Sequence, residues 1–321
     1  MTDTQAMIDV LDRRVERRNE RRDFFKTALG AVAVAGASGL FYADPALAQA
    51  APSDFDVLNF ALNLEYLEAN FYSYAVYGTP ISAALTTGVG TPGVVMPGHI
   101  VPFSDPVVAQ YAKEIAQDEI AHVTFLRSVL TTMAVAQPAI DLGIAPTGAF
   151  STAARAAGLI SKTDMTAFFD PYMNDTNFLL GSFIFEDVGV TAYKGASPLI
   201  TNKTYLEAAA GILAVEAYHA SIVRTVLYAK GIRTQADAIS DARDSLDGTS
   251  DDDQGISPVN VPLYGTNGMG SNIVPLDANG LAYSRTTGQV LNVVYLNNKA
   301  VTMGGFFPAG VNGAIKQSAA N

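Results

Sequence analysis

One motif occurs twice in this chain. Glu119-Ile-Ala-His122 is followed, five residues after the histidine, by Arg127 and then Ser-Val-Leu. Glu216-Ala-Tyr-His219 is followed at the same spacing by Arg224 and Thr-Val-Leu. On an α-helix, residues i and i+3 share a face one turn apart. Each copy therefore aims one carboxylate and one imidazole at a single point, as a metal ion held between helices requires. The chain has only three histidines and nine glutamates. Two of three histidines would carry Glu at i−3 by accident roughly a few times in a thousand. The competing reading, two core histidines with ordinary hydrogen bonds, stays open but is not favoured by this spacing.

The duplication extends to two further helices. A first helix is expected from Ser53 or Asp54, both good N-caps, to about Tyr77, where Gly78-Thr-Pro80 stops it. A second starts at Ser104-Asp105-Pro106 and runs to about Ala136. A third spans Asp170-Pro171 to Lys194-Gly195, and a fourth spans Asn202 to Lys230, with Gly231 as its C-terminal glycine. The third is apolar almost all round, which marks a buried helix. Glu65 in the first helix and Glu186 in the third are each followed seven residues later by a tyrosine, Tyr72 and Tyr193. The order is then Glu-x6-Tyr, Glu-x-x-His, Glu-x6-Tyr, Glu-x-x-His. Two such hairpins packed face to face bring four glutamates and two histidines to one centre. The longest connection, 138–170, joins the second helix to the third and is expected to hold short helices, one of them starting at Ser161-Lys-Thr-Asp164. The expected fold is therefore all-α: a four-helix bundle with one long crossover.

Composition narrows the chemistry. The 321 residues are 49% hydrophobic and 16% charged, with a net charge of −11 and no cysteine. The acidic balance offers no basic patch for nucleic acid. Without cysteine there is no disulfide, thiolate nucleophile, iron–sulfur cluster or cysteine-bound zinc. An ionised carboxylate in an apolar core is costly unless it is paired or bound to a metal, and Glu186 and Glu216 lie in such stretches. Four carboxylates and two imidazoles can hold two divalent ions about 3.5–4 Å apart. Oxygen-rich ligation with one nitrogen per ion favours two Fe or Mn ions.

These residues carry a resemblance. The chain resembles the ferritin-like superfamily and, more narrowly, its exported members related to plant desiccation-related proteins. The similarity runs over roughly residues 53–316. It includes Leu58-Asn-Phe-Ala-Leu-Asn-Leu-Glu65-Tyr-Leu-Glu68-Ala-Asn-Phe-Tyr72, Glu186-Asp-Val-Gly-Val-Thr-Ala-Tyr193-Lys-Gly195, and a tail from Asp277-Ala-Asn279 through Phe306-Phe307-Pro308 to Asn312-Gly313. It implies that Glu65, Glu119, His122, Glu186, Glu216 and His219 occupy di-metal ligand positions. Glu68, at i+3 from Glu65, is the alternative ligand on the first helix; Glu65 is preferred because its tyrosine at +7 recurs in the third. No catalytic residue beyond the ligands and no organic cofactor is singled out. Asp187 points about 100° away from Glu186 and is expected on another face or supporting a ligand. Glu114 and Asp118 are expected to be solvated or bonded to neighbours. Tyr72 and Tyr193 read first as core packing, with hydrogen bonds to carboxylates or electron transfer as the alternatives. Arg127 and Arg224 read as structural ion pairs, and His99, in a Pro/Gly-rich loop, as incidental.

The two ends differ from the middle. Arg21-Arg22-Asp-Phe-Phe-Lys26, an apolar Ala/Gly-rich run and Ala46-Leu-Ala48 have the order of a signal peptide and resemble a twin-arginine signal over residues 1–48. The expected location is periplasmic or extracellular, with no membrane span after signal removal. Residues 49–231 would form the bundle. Residues 232–321 read as a loop-rich extension packed on it, with a short fifth helix within 284–296, anchors at Phe306, Phe307 and Val311, and a solvated acidic turn at Asp247–Asp253. Self-association into a homo-oligomer is left open. The expected activity is reaction with O2 or H2O2, of ferroxidase, peroxide-scavenging or oxidase type. The alternative is a non-catalytic envelope stress or binding protein with a structural or vestigial metal site.

Overall fold

The computed structural model describes residues 51–250, 252–263 and 266–321. The proposed signal segment lies outside the described residues. Ala51–Asn321 make one compact unit containing seven α-helices: α1 Asp54–Tyr77, α2 Pro106–Leu130, α3 Ala149–Ala156, α4 Asp175–Ala196, α5 Lys203–Ala229, α6 Arg233–Asp247 and α7 Thr287–Val294. Two small two-stranded sheets accompany them. In one, β1 (Val95–Met96) pairs in parallel with β2 (Ile140–Asp141); in the other, β3 (Val259–Leu263) pairs antiparallel with β4 (Thr266–Gly270).

The four long helices are α1, α2, α4 and α5, and each begins at a residue chosen for its side-chain oxygen. Ser53 and Asp56 form a capping box on α1, Asp105 caps α2 ahead of Pro106, and Asn174 and Asn202 cap α4 and α5. Hairpins α1–α2 and α4–α5 pack together, and α2 also contacts α5. Residues 131–174 cross from one hairpin to the other. This is the expected four-helix architecture with one long crossover.

Several boundaries differ from expectation. The second long helix stops at Leu130, because residues 134–137 turn extended and hydrogen-bond to the 86–93 loop, with a bridge between Val89 and Val135. The third starts at Asp175 and not at Asp170, since Asp170 accepts from the Tyr172 amide and Asn174 supplies the cap. Ser161 caps only a turn, and the helix of the crossover is α3, further upstream. The extension carries one helix more than expected, the 15-residue α6.

Helix α1 is buried on nearly every side. Its polar side chains find partners in the loops around it. Asn59 bonds the Met133 carbonyl and the Val135 amide, Asn63 exchanges two hydrogen bonds with the Asn312 backbone, and Asn70 bonds Gln137. An aromatic core of Phe71, Phe150, Tyr172, Phe178, Phe185 and Phe306 joins α1, α3, α4 and the tail, with ring centroids of neighbouring pairs 4.9–6.2 Å apart. Phe306, Phe307 and Val311 are buried, as expected of anchors. Among the described residues, α5 alone is long and apolar enough by length and composition to cross a membrane. In the bundle it turns Glu216 and His219 inward.

Candidate metal centre

Glu65, Glu119, His122, Glu186, Glu216 and His219 meet in the middle of the four long helices, and all are buried. His122 Nδ1 lies 3.2 Å from Glu65 Oε2 and 3.7 Å from both Glu119 Oε2 and Glu216 Oε1. His219 Nδ1 lies 3.0 Å from Glu119 Oε1 and 3.6 Å from Glu186 Oε2. Two sets of donor atoms result, each within 4.8 Å of one another: Glu65, Glu119, His122 and Glu216, and then Glu119, Glu186 and His219. Glu119 belongs to both.

The residues around the cluster fix its geometry. The tyrosines cross between hairpins: Tyr72 on α1 donates to Glu186 Oε1 on α4, and Tyr193 on α4 donates to Glu65 Oε1 on α1. The packing role expected first for these tyrosines is therefore incomplete; buried hydroxyls need partners, and these find the carboxylates. Asp118 accepts from His219 Nε2 at 3.1 Å, which turns Nδ1 toward the carboxylates. Glu68 is buried beside the cluster, outside both donor sets. Gly189 lies against it: a Cβ there would collide with Glu216 Oε2 and come within 3.6 Å of Glu68 Oε1. The sequence signal for Gly189 is its place three residues after Glu186, where α1 has Glu68 after Glu65.

The other candidates lie elsewhere. Asp187 faces away from the cluster, paired with Arg224 at 2.7 Å and Arg243 at 2.9 Å. Arg224 is thus a structural ion pair, whereas Arg127 donates to the Tyr66 hydroxyl and the Thr87 carbonyl, each at 2.6 Å. Glu114 is exposed. His99 is half exposed and bonds Asp170 at 3.0 Å, tying its loop to the approach to α4.

The electrostatics are those of a cluster lacking positive charge. Burial drives the Glu65 carboxyl up to about 7 and Glu186 to about 8, although a nearby imidazole opposes each shift. Burial and then the Glu119 charge push Glu68 and Glu216 well above the usual carboxylate range. Burial also raises Glu119, but both imidazoles outweigh it and hold the carboxyl at about 2. Burial lowers His122 and His219, yet the surrounding carboxylates carry them to about 11 and about 9. Both oxygens of Glu216 and Glu186 Oε2 are buried without a hydrogen-bond partner, and Glu119 has only the imidazoles beside it, His219 Nδ1 at 3.0 Å being the nearer. Orphaned acceptors converging at this depth are costly in protein alone. They fit divalent cations, whose binding would expel the protons the cluster otherwise shares.

A family profile described as "Ferritin-like domain" matches residues 53–229, the span of the four helices that carry this cluster. The chain belongs to the ferritin-like family. It is 32% identical over 248 residues to "Desiccation-related protein PCC13-62" of Craterostigma plantagineum, covering 73% of this chain and 75% of that protein. It is 26% identical over 276 residues to "Ferritin-like catalase Nec2" of Nesocodon mauritianus, covering 82% and 85%. No solved structure matches significantly.

Proposed function

We propose that the chain is an exported di-metal carboxylate protein that reacts with peroxide, and that its reaction is the disproportionation of H2O2 to water and O2. The observation that carries this reading is the set of buried, unpartnered carboxylate oxygens on Glu186 and Glu216, gathered with Glu119 at one centre. In it, Glu65, Glu119, His122 and Glu216 would hold one cation, and Glu119, Glu186 and His219 would hold the other; Glu68 is the alternative carboxylate on α1. Two Fe or Mn ions bound there would supply the two-electron steps that peroxide chemistry needs. The protein's part is to hold the ligands still and dry. Tyr193 fixes Glu65 in the first donor set, Tyr72 fixes Glu186 in the second, and Asp118 fixes His219. The relative named a ferritin-like catalase supports peroxide as the substrate. Export by the twin-arginine route, which carries folded proteins, would let the centre load before export.

The test is O2 evolution from H2O2 by protein recovered from its native host with its metal content known. Metal-dependent O2 release at half a mole per mole of H2O2 consumed is expected. A metal-loaded protein that leaves H2O2 untouched would contradict the catalytic reading. It would favour the second one, a protective role with a structural metal, which the desiccation-related relative suggests.

A further inference from the structure

The duplication breaks down at the centre. The two donor sets differ in size: the set containing His122 has four residues, three of them carboxylates, and the set containing His219 has three, two of them carboxylates. The backing of the two imidazoles differs too. Asp118, the residue before Glu119, holds the outer nitrogen of His219. The matching position before Glu216 is Val215. Among the described residues, no hydrogen bond reaches the outer nitrogen of His122.

We propose that the two cation positions are unequal and fill in order, the four-ligand His122 position first and the three-ligand His219 position second, with Asp118 as the positioning residue for the second. The proposal rests on the di-metal reading above. Three carboxylates and an imidazole outbid two carboxylates and an imidazole for the first ion. Glu119 reaches both imidazoles, Oε2 toward His122 and Oε1 toward His219, so an ion in the first position also holds Glu119 still for the second. With fewer protein ligands, the second position depends more on orientation. The Asp118 hydrogen bond supplies it by keeping the proton on Nε2 and the lone pair on Nδ1. A three-ligand position also leaves coordination space for a small exogenous ligand, as open metal sites do. The Asp118 side chain is 41% exposed, so its replacement disturbs little of the core.

The experiment is a titration of the full chain, stripped by chelation, with Mn2+, following free Mn2+ by electron paramagnetic resonance. Two resolved steps are expected. Asp118→Asn should weaken the second step by about 10- to 100-fold, the usual cost of losing such a partner, and leave the first unchanged. His219→Ala should abolish the second step and keep the first, an arm that stands whether or not Asp118→Asn folds. Two equal sites filling in a single step, or a loss in Asp118→Asn that falls on the first step, overturns the proposal while keeping the di-metal reading. Fewer than one Mn2+ bound by the unmodified chain overturns both.

Discussion

Gly189 shows how one missing side chain shapes the centre. On helix propensity alone, alanine would be better there by about 1 kcal/mol. Its Cβ would collide with Glu216 Oε2, so Gly189→Ala should keep helix content by circular dichroism and lose bound metal. Retained metal in that variant would show that Glu216 does not ligate from the position seen. The crossed tyrosines make a second prediction. Tyr193→Phe removes the hydroxyl that donates to Glu65; loss of a buried hydrogen bond to a charged group should cost roughly 1.5–3 kcal/mol of unfolding free energy, read from denaturant titration of the metal-free protein. Unchanged stability would mean that water replaces the hydroxyl. The six candidate ligands were legible in the sequence because i, i+3 and i+7 spacings are local. The tyrosines' partners were not: each pairs with a glutamate more than a hundred residues away, and only the packing of the two hairpins reveals the exchange.

At the scale of elements, α6 ties the extension to the bundle through charges. Its Arg243 bonds Asp187 on α4 and Asp253 in the following loop; Arg285 bonds Asp247 at 2.5 Å and Asp253 at 2.8 Å; Arg224 on α5 joins at Asp187. All six side chains are buried, and the Arg224 and Arg243 guanidinium groups lie 5.4 and 4.6 Å from the Phe183 ring centroid. Removing one member of such a network strands its partners, so Asp253→Asn should destabilise the protein by about 3–5 kcal/mol. The pH dependence follows. Burial raises the Asp253 carboxyl, but Arg243 and Arg285 outweigh it and hold it below the ordinary 3.8. Its stabilising contribution is therefore complete above about pH 4 and fades as pH falls through the depressed value. Melting temperatures from pH 6 down to 3 should converge for the unmodified protein and Asp253→Asn. A constant gap would show that the charge of Asp253 is not what stabilises. This network also explains why α6 was not expected. Its buried face is Ala236, Ile239, Ser240, Arg243 and Asp247, a helical stripe with three polar residues in five that so reads as solvated. Asp247 and Asp253, expected in a solvated acidic turn, are buried for the same reason. Helices α1, α2, α4 and α5 were legible because their caps and apolar lengths are written in consecutive residues.

For the whole molecule, the extension is part of the fold. Phe306 lies 5.1 Å from Phe150 and 4.9 Å from Phe185, and the Asn312 backbone closes on Asn63. Phe306→Ala should cost about 3–5 kcal/mol through the cavity it leaves, and a chain ended near Ile232 should lose cooperative unfolding. A soluble, metal-loaded and equally stable truncated chain would refute this. The central claim, though, concerns the cluster at the middle of the bundle. Metal analysis by mass spectrometry of the protein from its native host, beside a Glu119→Ala/Glu216→Ala variant prepared in the same way, tests it most directly. Two transition-metal ions per chain in the native protein, and a variant that loses them and melts at a changed temperature, is the predicted result. Less than one ion per chain, with identical melting of the two proteins, would contradict it.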